Sequence, residues 1–221
     1  MTAPTKLLLL VTVVWLSVSP AQTPSEDAPE CHKQGIGKLQ LTQQDTTILG
    51  LTIGSASLKD VRAKLGQTGF LSRNESSPNT VCYVSPTDGI VLSFGAGAMG
   101  GFVDVTEFSL WSREARFPNV KACLPSKLIS RNLSTLSGIK LGLSLQQLNT
   151  IVGAVPTTKH AEAHYELSCR EKMTPEEIKR FKTANNRDVS DNPFFDVTSF
   201  VEAQFSNSKA SRIYVAKIES Y

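Results

Sequence analysis

Residues 50–66 read GLTIGSASLKDVRAKLG, and they are the basis for predicting the fold because a close copy follows about 87 residues later. The copy, residues 138–153, reads GIKLGLSLQQLNTIVG. Cys82 lies 16 residues after the end of the first stretch, and Cys169 lies 16 residues after the end of the second. Repetition at a fixed period indicates that one structural unit is built twice. We therefore predict two tandem repeats.

Each copy predicts a short helix that begins after a capping serine. Ser57 precedes an aspartate by three positions and Ser144 precedes a glutamine by three, which is the spacing of a capping box. Apolar residues then recur at helical spacing, and Gly66 and Gly153 stand where a left-handed residue would end each helix. Each helix is apolar on one side only, so it must pack on another layer.

That other layer is predicted to be a sheet. Segments rich in β-branched and aromatic residues predict strands at 80–84, 90–94 and 102–111 in the first copy and at 163–170, 199–205 and 213–218 in the second. The predicted fold class is α+β, in which each repeat has a short helical layer packed on a three- to four-stranded antiparallel sheet. The repeats are predicted to span residues 31–117 and 118–221, with a helical insertion over 171–192 in the second.

The N-terminus predicts export. Lys6, an apolar run and a small-residue cleavage site make residues 1–21 a signal peptide, followed by a polar linker over 22–30. The apolar run is too short for a comfortable membrane span, so we expect a secreted or periplasmic protein with no membrane anchor. After cleavage, 22 basic and 20 acidic residues remain, and so small a net charge argues against a nucleic-acid partner.

Four cysteines in an exported chain favour two disulfides. Because each copy has one upstream and one downstream cysteine, we predict the pairs Cys31–Cys82 and Cys123–Cys169. Metal binding is the alternative, prompted by the adjacent Cys31 and His32 and by a pair of histidines at 160 and 164. The close-spaced cysteine pairs typical of zinc sites are missing from the sequence, so no metal ligand is assigned.

One glycine-rich segment matches the pattern of a dinucleotide-binding loop, but the residues that follow it do not fit such a site. Residues 95–100 read GAGAMG, which matches the glycine pattern of dinucleotide-binding loops, but a strand-like segment follows where that site requires a helix. We therefore interpret the glycines as a flexible hairpin turn and expect no cofactor. The sequence also has no recognisable catalytic constellation. Asn74 and Asn132 begin glycosylation sequons, which matter only in a eukaryotic secretory pathway.

The face of the sheet opposite the helices is the candidate binding surface. If Cys82 points toward the helix, its neighbours point to the other face. Tyrosine, tryptophan and arginine on such a face are typical of recognition surfaces, although a solvated face is the alternative. The candidate partner-binding residues are Tyr83, Trp111, Glu166, Arg170, Glu202 and Gln204.

The glycine-framed segment, short helix and closing Leu-Gly or Val-Gly of both copies resemble a known pattern. The chain resembles the small envelope domains of the outer-membrane assembly lipoprotein type (SmpA/OmlA-like) and the related β-lactamase inhibitory proteins. The tandem copies and the signal peptide are more similar to the inhibitory proteins, and this resemblance implies two helix-plus-sheet repeats that present a sheet surface to a target enzyme. The lipid-bearing cysteine of the lipoproteins is absent, so membrane attachment does not carry over.

These observations favour an exported, non-enzymatic protein-binding module, an inhibitor or an envelope scaffold, whose partner is another exported or envelope protein. The alternative is a carrier of a small molecule or lipid that uses a cleft between the two repeats. An enzyme is a third hypothesis, which a perturbed carboxylate or histidine in a pocket would favour.

Overall fold

The computed structural model describes residues 30–34, 41–71, 79–97, 103–159, 161–185 and 193–220. The predicted signal peptide, nearly all of the predicted linker, Asn74, His160 and the last three residues of the GAGAMG motif lie outside the described residues. Asn132 is exposed in a turn. Among the helices of the described ranges, none is long and apolar enough to cross a membrane.

The described residues form eleven strands and three α-helices. The strands are β1 (Glu30–Gln34), β2 (Thr47–Ile48), β3 (Leu51–Thr52), β4 (Asn79–Val84), β5 (Val91–Ala96), β6 (Glu107–Trp111), β7 (Leu124–Pro125), β8 (Thr157–Lys159), β9 (Glu162–Lys172), β10 (Phe194–Ser206) and β11 (Lys209–Ser220). The helices are α1 (Leu58–Leu65), α2 (Leu145–Val152) and α3 (Pro175–Asn185), and a 3-10 turn covers Val120–Ala122.

Within the described ranges, nine of the strands form one mixed sheet, and β2 and β3 form a separate hairpin. Eight strands follow one another in the order β1-β9-β10-β11-β6-β5-β4-β7, and β8 pairs with β9 beside this path. The β4–β7 pair is parallel, and the other pairs are antiparallel.

The prediction of two tandem repeats with separate sheets is wrong. β6 and β11, which were assigned to different repeats, are hydrogen-bonded neighbours, and β1 crosses from the first half to pair with β9 in the second. Two separate small sheets would each have left a row of unpaired backbone N–H and C=O groups along an open edge. Pairing β6 with β11 satisfies those groups and makes one mostly β architecture with few, short helices.

The two copied segments nevertheless form the predicted helices. Ser57 and Ser144 each accept a hydrogen bond from the backbone N–H three residues on, and the side chain of that third residue bonds back in both cases, so both capping boxes are confirmed. Gly153 ends α2 in the left-handed conformation, with φ 70° and ψ 24°. Gly66 ends α1 differently, with φ 110° and ψ 155°, so the left-handed prediction is wrong there.

A buried tyrosine connects each of α1 and α2 to the sheet. Tyr83 on β4 donates its hydroxyl hydrogen to the carbonyl oxygen of Gly66 at 2.9 Å, and Tyr165 on β9 donates to the side-chain oxygen of Asn149 in α2 at 2.6 Å. Both rings belong to the main apolar core, which also contains the buried residues of α1 and α2. α3 packs on the same side of the sheet, where Ile178 contacts Phe195, Val197 and Met173.

The predicted disulfide pairing is also wrong. Cys82 is bonded to Cys123, 41 residues later, with their Cα atoms 4.8 Å apart. The parallel alignment of β7 beside β4, with Leu124 opposite Tyr83, brings these two cysteines together. Cys169 is disulfide-bonded as well, and the backbone register places Cys31 opposite it. Sequence spacing suggested local pairs, whereas strand pairing between the two halves determines which cysteines are neighbours.

Candidate functional site

The candidate site lies on the face of the sheet that points away from the three helices, which we call the outer face. Successive residues of a strand point to opposite faces. Phe108, Leu110, Ile213 and Val215 pack in the core with the helices, so their strand neighbours point outward. Backbone register arranges the outer face in three rows: Glu166–Phe200–Ala216–Glu107–Gly95–Thr80, His164–Glu202–Tyr214–Ser109–Ser93–Cys82 and Glu162–Gln204–Arg212–Trp111–Val91–Val84.

A groove of about 750 Å³ opens on the outer face over β5, β6 and β11. Its floor is polar in the middle, where the hydroxyl groups of Ser93 and Ser109 are hydrogen-bonded at 2.7 Å and Trp111 donates its indole N–H to Ser109 at 2.6 Å. Residues outside the sheet also line it, at 70–71 and at 117–122, and most of them are apolar. The groove therefore combines an ordered polar floor with apolar sides.

The Cys82–Cys123 disulfide fixes one wall of this groove. The two cysteines pack with Val91, and Trp111 and Phe117 pack against them. The rings of Trp111 and Phe117 meet edge to face, with their centroids 5.3 Å apart. This small second core lies on the outer face and is separate from the core beneath the helices, so the loop that follows β6 is held against the sheet.

Glu107 and Tyr214 form a partly buried polar pair in the floor of the groove. The Tyr214 hydroxyl donates a hydrogen bond to Oε2 of Glu107. Burial raises the pKa of the Glu107 carboxyl above its usual range, while the bond from Tyr214 and the nearby Arg212 charge oppose that rise. Burial also raises the pKa of the Tyr214 hydroxyl, and the Glu107 charge raises it further.

Gly95 makes room for the Glu107 side chain. The two residues are cross-strand neighbours, and a Cβ atom on Gly95 would lie only 2.6 Å from Cγ and 2.7 Å from Cδ of Glu107. The prediction that this glycine belongs to a flexible hairpin turn is wrong, because Gly95 lies inside β5. The glycine thus lets the carboxylate lie across the strand and reach Tyr214.

Arg212 is stacked on the aromatic floor. Its guanidinium carbon lies 4.4 Å from the centre of the Trp111 ring and 5.9 Å from the centre of the Tyr214 ring, within the range of cation–π attraction. Within the described part of the chain, its Nε atom is buried and has no hydrogen-bond partner. The Arg212 guanidinium is therefore a positive charge that is held in place by stacking and keeps unused hydrogen-bonding capacity.

The neighbouring part of the outer face, on β9 and β10, is acidic around a histidine. Nε2 of His164 lies 2.8 Å from a carboxylate oxygen of Glu166, and Nδ1 lies 3.2 Å from one of Glu202. The imidazole can donate to both only when both ring nitrogens carry hydrogen, and it then offsets part of the surrounding negative charge. The ring also lies 6.0 Å from that of Phe200, which is 5.4 Å from that of Tyr214.

The structure brings five of the six predicted binding residues to the outer face. These are Trp111, Glu166, Arg170, Glu202 and Gln204, and Arg170 lies beyond the three rows with its guanidinium carbon 5.1 Å from the ring centre of Phe194. Tyr83 is on the opposite face and fully buried, so its predicted exposure is wrong. The error follows from the assumption that Cys82 points toward the helix, because Cys82 packs on the outer face.

Sequence reasoning missed the residues at the centre of the groove, Glu107, Arg212 and Tyr214. A signal for two of them was present, because Arg212 and Tyr214 alternate with the apolar Ile213 and Val215 in the period of a half-buried strand. The predicted strand began at Ile213 and left out Arg212. No local signal indicated that Glu107 would lie beside Tyr214, since the two residues are 107 positions apart.

A second groove of about 610 Å³ lies where the two halves of the chain meet. Its lining includes Asp88, Glu114, Arg113, Arg131 and Lys209, so charges of both signs are mixed along it. Asp88 accepts a hydrogen bond from the backbone N–H of Arg131 at 2.8 Å, which connects the two halves there. In the described ranges, histidines, cysteines and carboxylates do not gather into a group of three or more that could hold a metal ion.

Comparison of the chain with models of protein families, with curated proteins and with solved structures returns no match.

Proposed function

We propose that this chain is an exported, non-enzymatic protein-binding module, inhibitor-like or scaffold-like, that binds another exported or envelope protein through its outer face. The observation that carries the proposal is the line of packed side chains from His164 through Phe200, Tyr214 and Arg212 to Trp111. It crosses β9, β10, β11 and β6 on the face opposite the helices. Tyrosine, tryptophan and arginine are the residue types that supply most of the binding energy at protein interfaces.

The shape of the outer face favours a protein over a small molecule as the partner. The groove occupies only part of the face, and the polar rows on β9 and β10 continue beside it on the same surface. A small ligand binds in a concave site that surrounds most of its surface, whereas a protein covers a broad patch with a desolvated centre and a polar rim. The apolar-walled groove with Arg212 would be that centre, and the carboxylates around His164 would be the rim.

Preorganisation of the groove in the unbound chain also supports a role in binding. The Cys82–Cys123 disulfide and the Trp111–Phe117 contact fix one wall, and the hydrogen bonds among Ser93, Ser109 and Trp111 fix the floor. A surface that is ordered before binding loses little conformational entropy when the partner docks. The disulfide supports export too, because disulfides persist in oxidising compartments. The residues assigned to the groove are proposed binding residues, and none is assigned a catalytic role.

The test begins with the mature chain, residues 22–221, immobilised and exposed to the extracellular or periplasmic fraction of its source cells. Cross-linked partners are identified by mass spectrometry, purified, and titrated against the mature chain by calorimetry. We expect Trp111→Ala to weaken binding at least about thirtyfold, as loss of a central aromatic residue does at interfaces. Leu136→Ala is the control, because Leu136 is 69% exposed and lies outside the three rows.

The proposal is wrong if no purified candidate binds saturably, or if Trp111→Ala binds every candidate as tightly as the wild type does. Thermal melting of both variants in the absence of a partner distinguishes a lost contact from a lost fold. A partner whose binding is weakened by Leu136→Ala and not by Trp111→Ala would place the interface elsewhere and would contradict the assignment of the outer face.

A further inference from the structure

We propose that the groove receives an acidic side chain of the partner protein, an aspartate or glutamate next to an aromatic or branched apolar residue, and that Arg212 binds its carboxylate. This inference rests on the proposed function and adds the chemistry of the partner. It is carried by the arrangement of charge and apolar surface within the groove, which neither the cysteine spacing nor the copied segments indicated.

The charges that line the groove favour an anion. The ionised side chains of its lining are Arg212, Lys121 and Glu107. Glu107 accepts the hydrogen bond from Tyr214, which occupies one of its oxygens and leaves its charge in place. The lining therefore carries one net positive charge, and the buried Nε of Arg212 has no hydrogen-bond partner within the described ranges. A guanidinium matches a carboxylate in both charge and planar geometry.

Stacking fixes where that carboxylate would bind. Trp111 and Tyr214 hold the Arg212 guanidinium against the floor, so the charge does not swing out into solvent. An arginine held in this way loses less conformational freedom when it forms a hydrogen bond than a free surface side chain does. The unpartnered Nε atom shows that the hydrogen bonds of Arg212 are incomplete in the unbound chain.

Exposed apolar residues that line the groove favour an apolar residue next to the partner's acidic residue. Phe70 is 47% exposed and Val120 is 41% exposed, and both residues line the groove. Trp111 and Phe117, whose rings are in contact, line the groove as well and add to its apolar surface. Exposed apolar surface of this kind is covered favourably by an aromatic or branched side chain. A volume of about 750 Å³ holds several side chains, so one acidic residue and its apolar neighbour fit together.

The same geometry disfavours other occupants. A basic side chain would meet Arg212 and Lys121 on the lining of the groove. A phosphate group, with nearly two negative charges, would be repelled by Glu107 in the lining and by Glu202, both of which act electrostatically on Tyr214. A single carboxylate gains the attraction of Arg212 with less repulsion from those two groups.

The experiment selects ligands from a phage-displayed library of disulfide-closed random peptide loops on the immobilised mature chain. We expect enriched loops to contain an aspartate or glutamate directly beside an aromatic or branched apolar residue, and to be lost on Trp111→Ala. A synthetic loop is then titrated by calorimetry. We expect its acid-to-amide analogue to bind at least tenfold more weakly to the wild-type chain and equally to Arg212→Gln. Arg131→Gln is the control, because that exposed arginine lines the second groove.

Arg212→Lys is a second test, because lysine keeps the positive charge but lacks the planar guanidinium group. We expect this variant to bind the acidic loop more weakly than the wild type does. If Arg212→Gln does not fold, the acid-to-amide loop on the wild-type chain decides the question without any protein variant. Loops that depend on Trp111 but lack an acidic residue, or that tolerate the amide, overturn this inference and leave the proposed function standing. Loops that bind Trp111→Ala as tightly as the wild type contradict both the inference and the proposed function. If the wild-type chain is a dimer in solution and Trp111→Ala is a monomer, the groove binds a second copy of the chain, and the inference is also overturned.

Discussion

Arg212 on β11 and Trp111 on β6 are cross-strand neighbours, and the guanidinium carbon of Arg212 lies 4.4 Å from the centre of the Trp111 ring. This contact spans the junction at which the two halves of the sheet are joined. It also lies in the floor of the groove, so the same pair of side chains contributes to the fold and to the proposed binding surface.

A double-mutant cycle measures this contact. We expect Trp111→Ala, Arg212→Gln and the double variant to give a coupling free energy of about 1 kcal/mol in urea unfolding, which is typical of a partly exposed cation–π pair. The cycle of Trp111→Ala with Arg131→Gln is the control and is expected to show additivity within about 0.3–0.5 kcal/mol. Equal coupling in the two cycles would mean that Arg212 and Trp111 do not interact in solution.

Removal of the Cys82–Cys123 bond is expected to destabilise the chain. Because the two cysteines are 41 positions apart, the loop-entropy relation gives a loss of about 4 kcal/mol for Cys82→Ala combined with Cys123→Ala. Urea unfolding measures the loss, and a thiol assay of the unfolded variant should detect no free thiol, because Cys169 is itself disulfide-bonded. A loss below about 1 kcal/mol would show that the bond contributes little to stability.

The raised pKa of Glu107 predicts a pH dependence of stability. A carboxyl whose pKa is higher in the folded state binds more protons there than in the unfolded state, so its contribution is most favourable below the usual pKa of 4.5 and is lost as the pH rises through the folded value. Glu107→Gln keeps a hydrogen-bond acceptor for Tyr214 but cannot ionise. We therefore expect its free energy of unfolding to rise relative to that of the wild type as the pH is raised from about 4 to about 7, the range in which a carboxyl with a raised pKa ionises.

Asp60 is the control of opposite sign for that experiment. The hydrogen bonds from Ser57 hold the pKa of Asp60 below its usual range, so its contribution is present above the ordinary aspartate pKa and is lost as the pH falls through the lowered one. The wild type should therefore lose stability relative to Asp60→Asn on acidification. Parallel pH profiles for the two variants in urea unfolding would contradict the assignment of opposite shifts.

Two tyrosines separate stability from binding. Tyr83→Phe removes the hydrogen bond to Gly66 within the core, and we expect a loss of about 1 kcal/mol in the free energy of unfolding with no change in affinity for an outer-face ligand. Tyr214→Phe removes the donor to Glu107 in the groove, and we expect it to weaken binding of the same ligand as well. Weaker binding by Tyr83→Phe than by Tyr214→Phe would contradict the assignment of these residues to opposite faces.

The parts of the structure that depend on residues a few positions apart could be predicted from the sequence. Both capping boxes formed because Ser57 and Ser144 meet partners three residues away on the same turn. The main strands also lie close to their predicted positions, because each is a run of β-branched and aromatic residues between turn formers. These features require no knowledge of which strands become neighbours.

Strand pairing could not be predicted in the same way, and the errors in the site follow from it. The equal spacing of Cys82 and Cys169 from their copied segments suggested equivalent positions, yet Cys82 lies on the outer face and Cys169 packs toward the helices. That difference reversed the predicted exposure of Tyr83. In two separate sheets β6 and β11 would each have been an edge strand with an ordinary set of backbone donors and acceptors, and nothing local specified that they would join. Arg212 and Glu107 became groove residues only through that pairing.

The β6–β11 pairing also sets the order of events when the chain is made. Partners such as Trp111 and Arg212 are separated by about a hundred residues, so during synthesis at 5–20 residues per second β6 waits roughly 5–20 s for β11 to emerge. Until β11 is available, the edge of β6 that does not pair with β5 lacks its partner strand. β11 is the last of the described strands and lies in the middle of the sheet, so we expect a peptide that copies β11 to compete for β6 before the chain's own β11 pairs there.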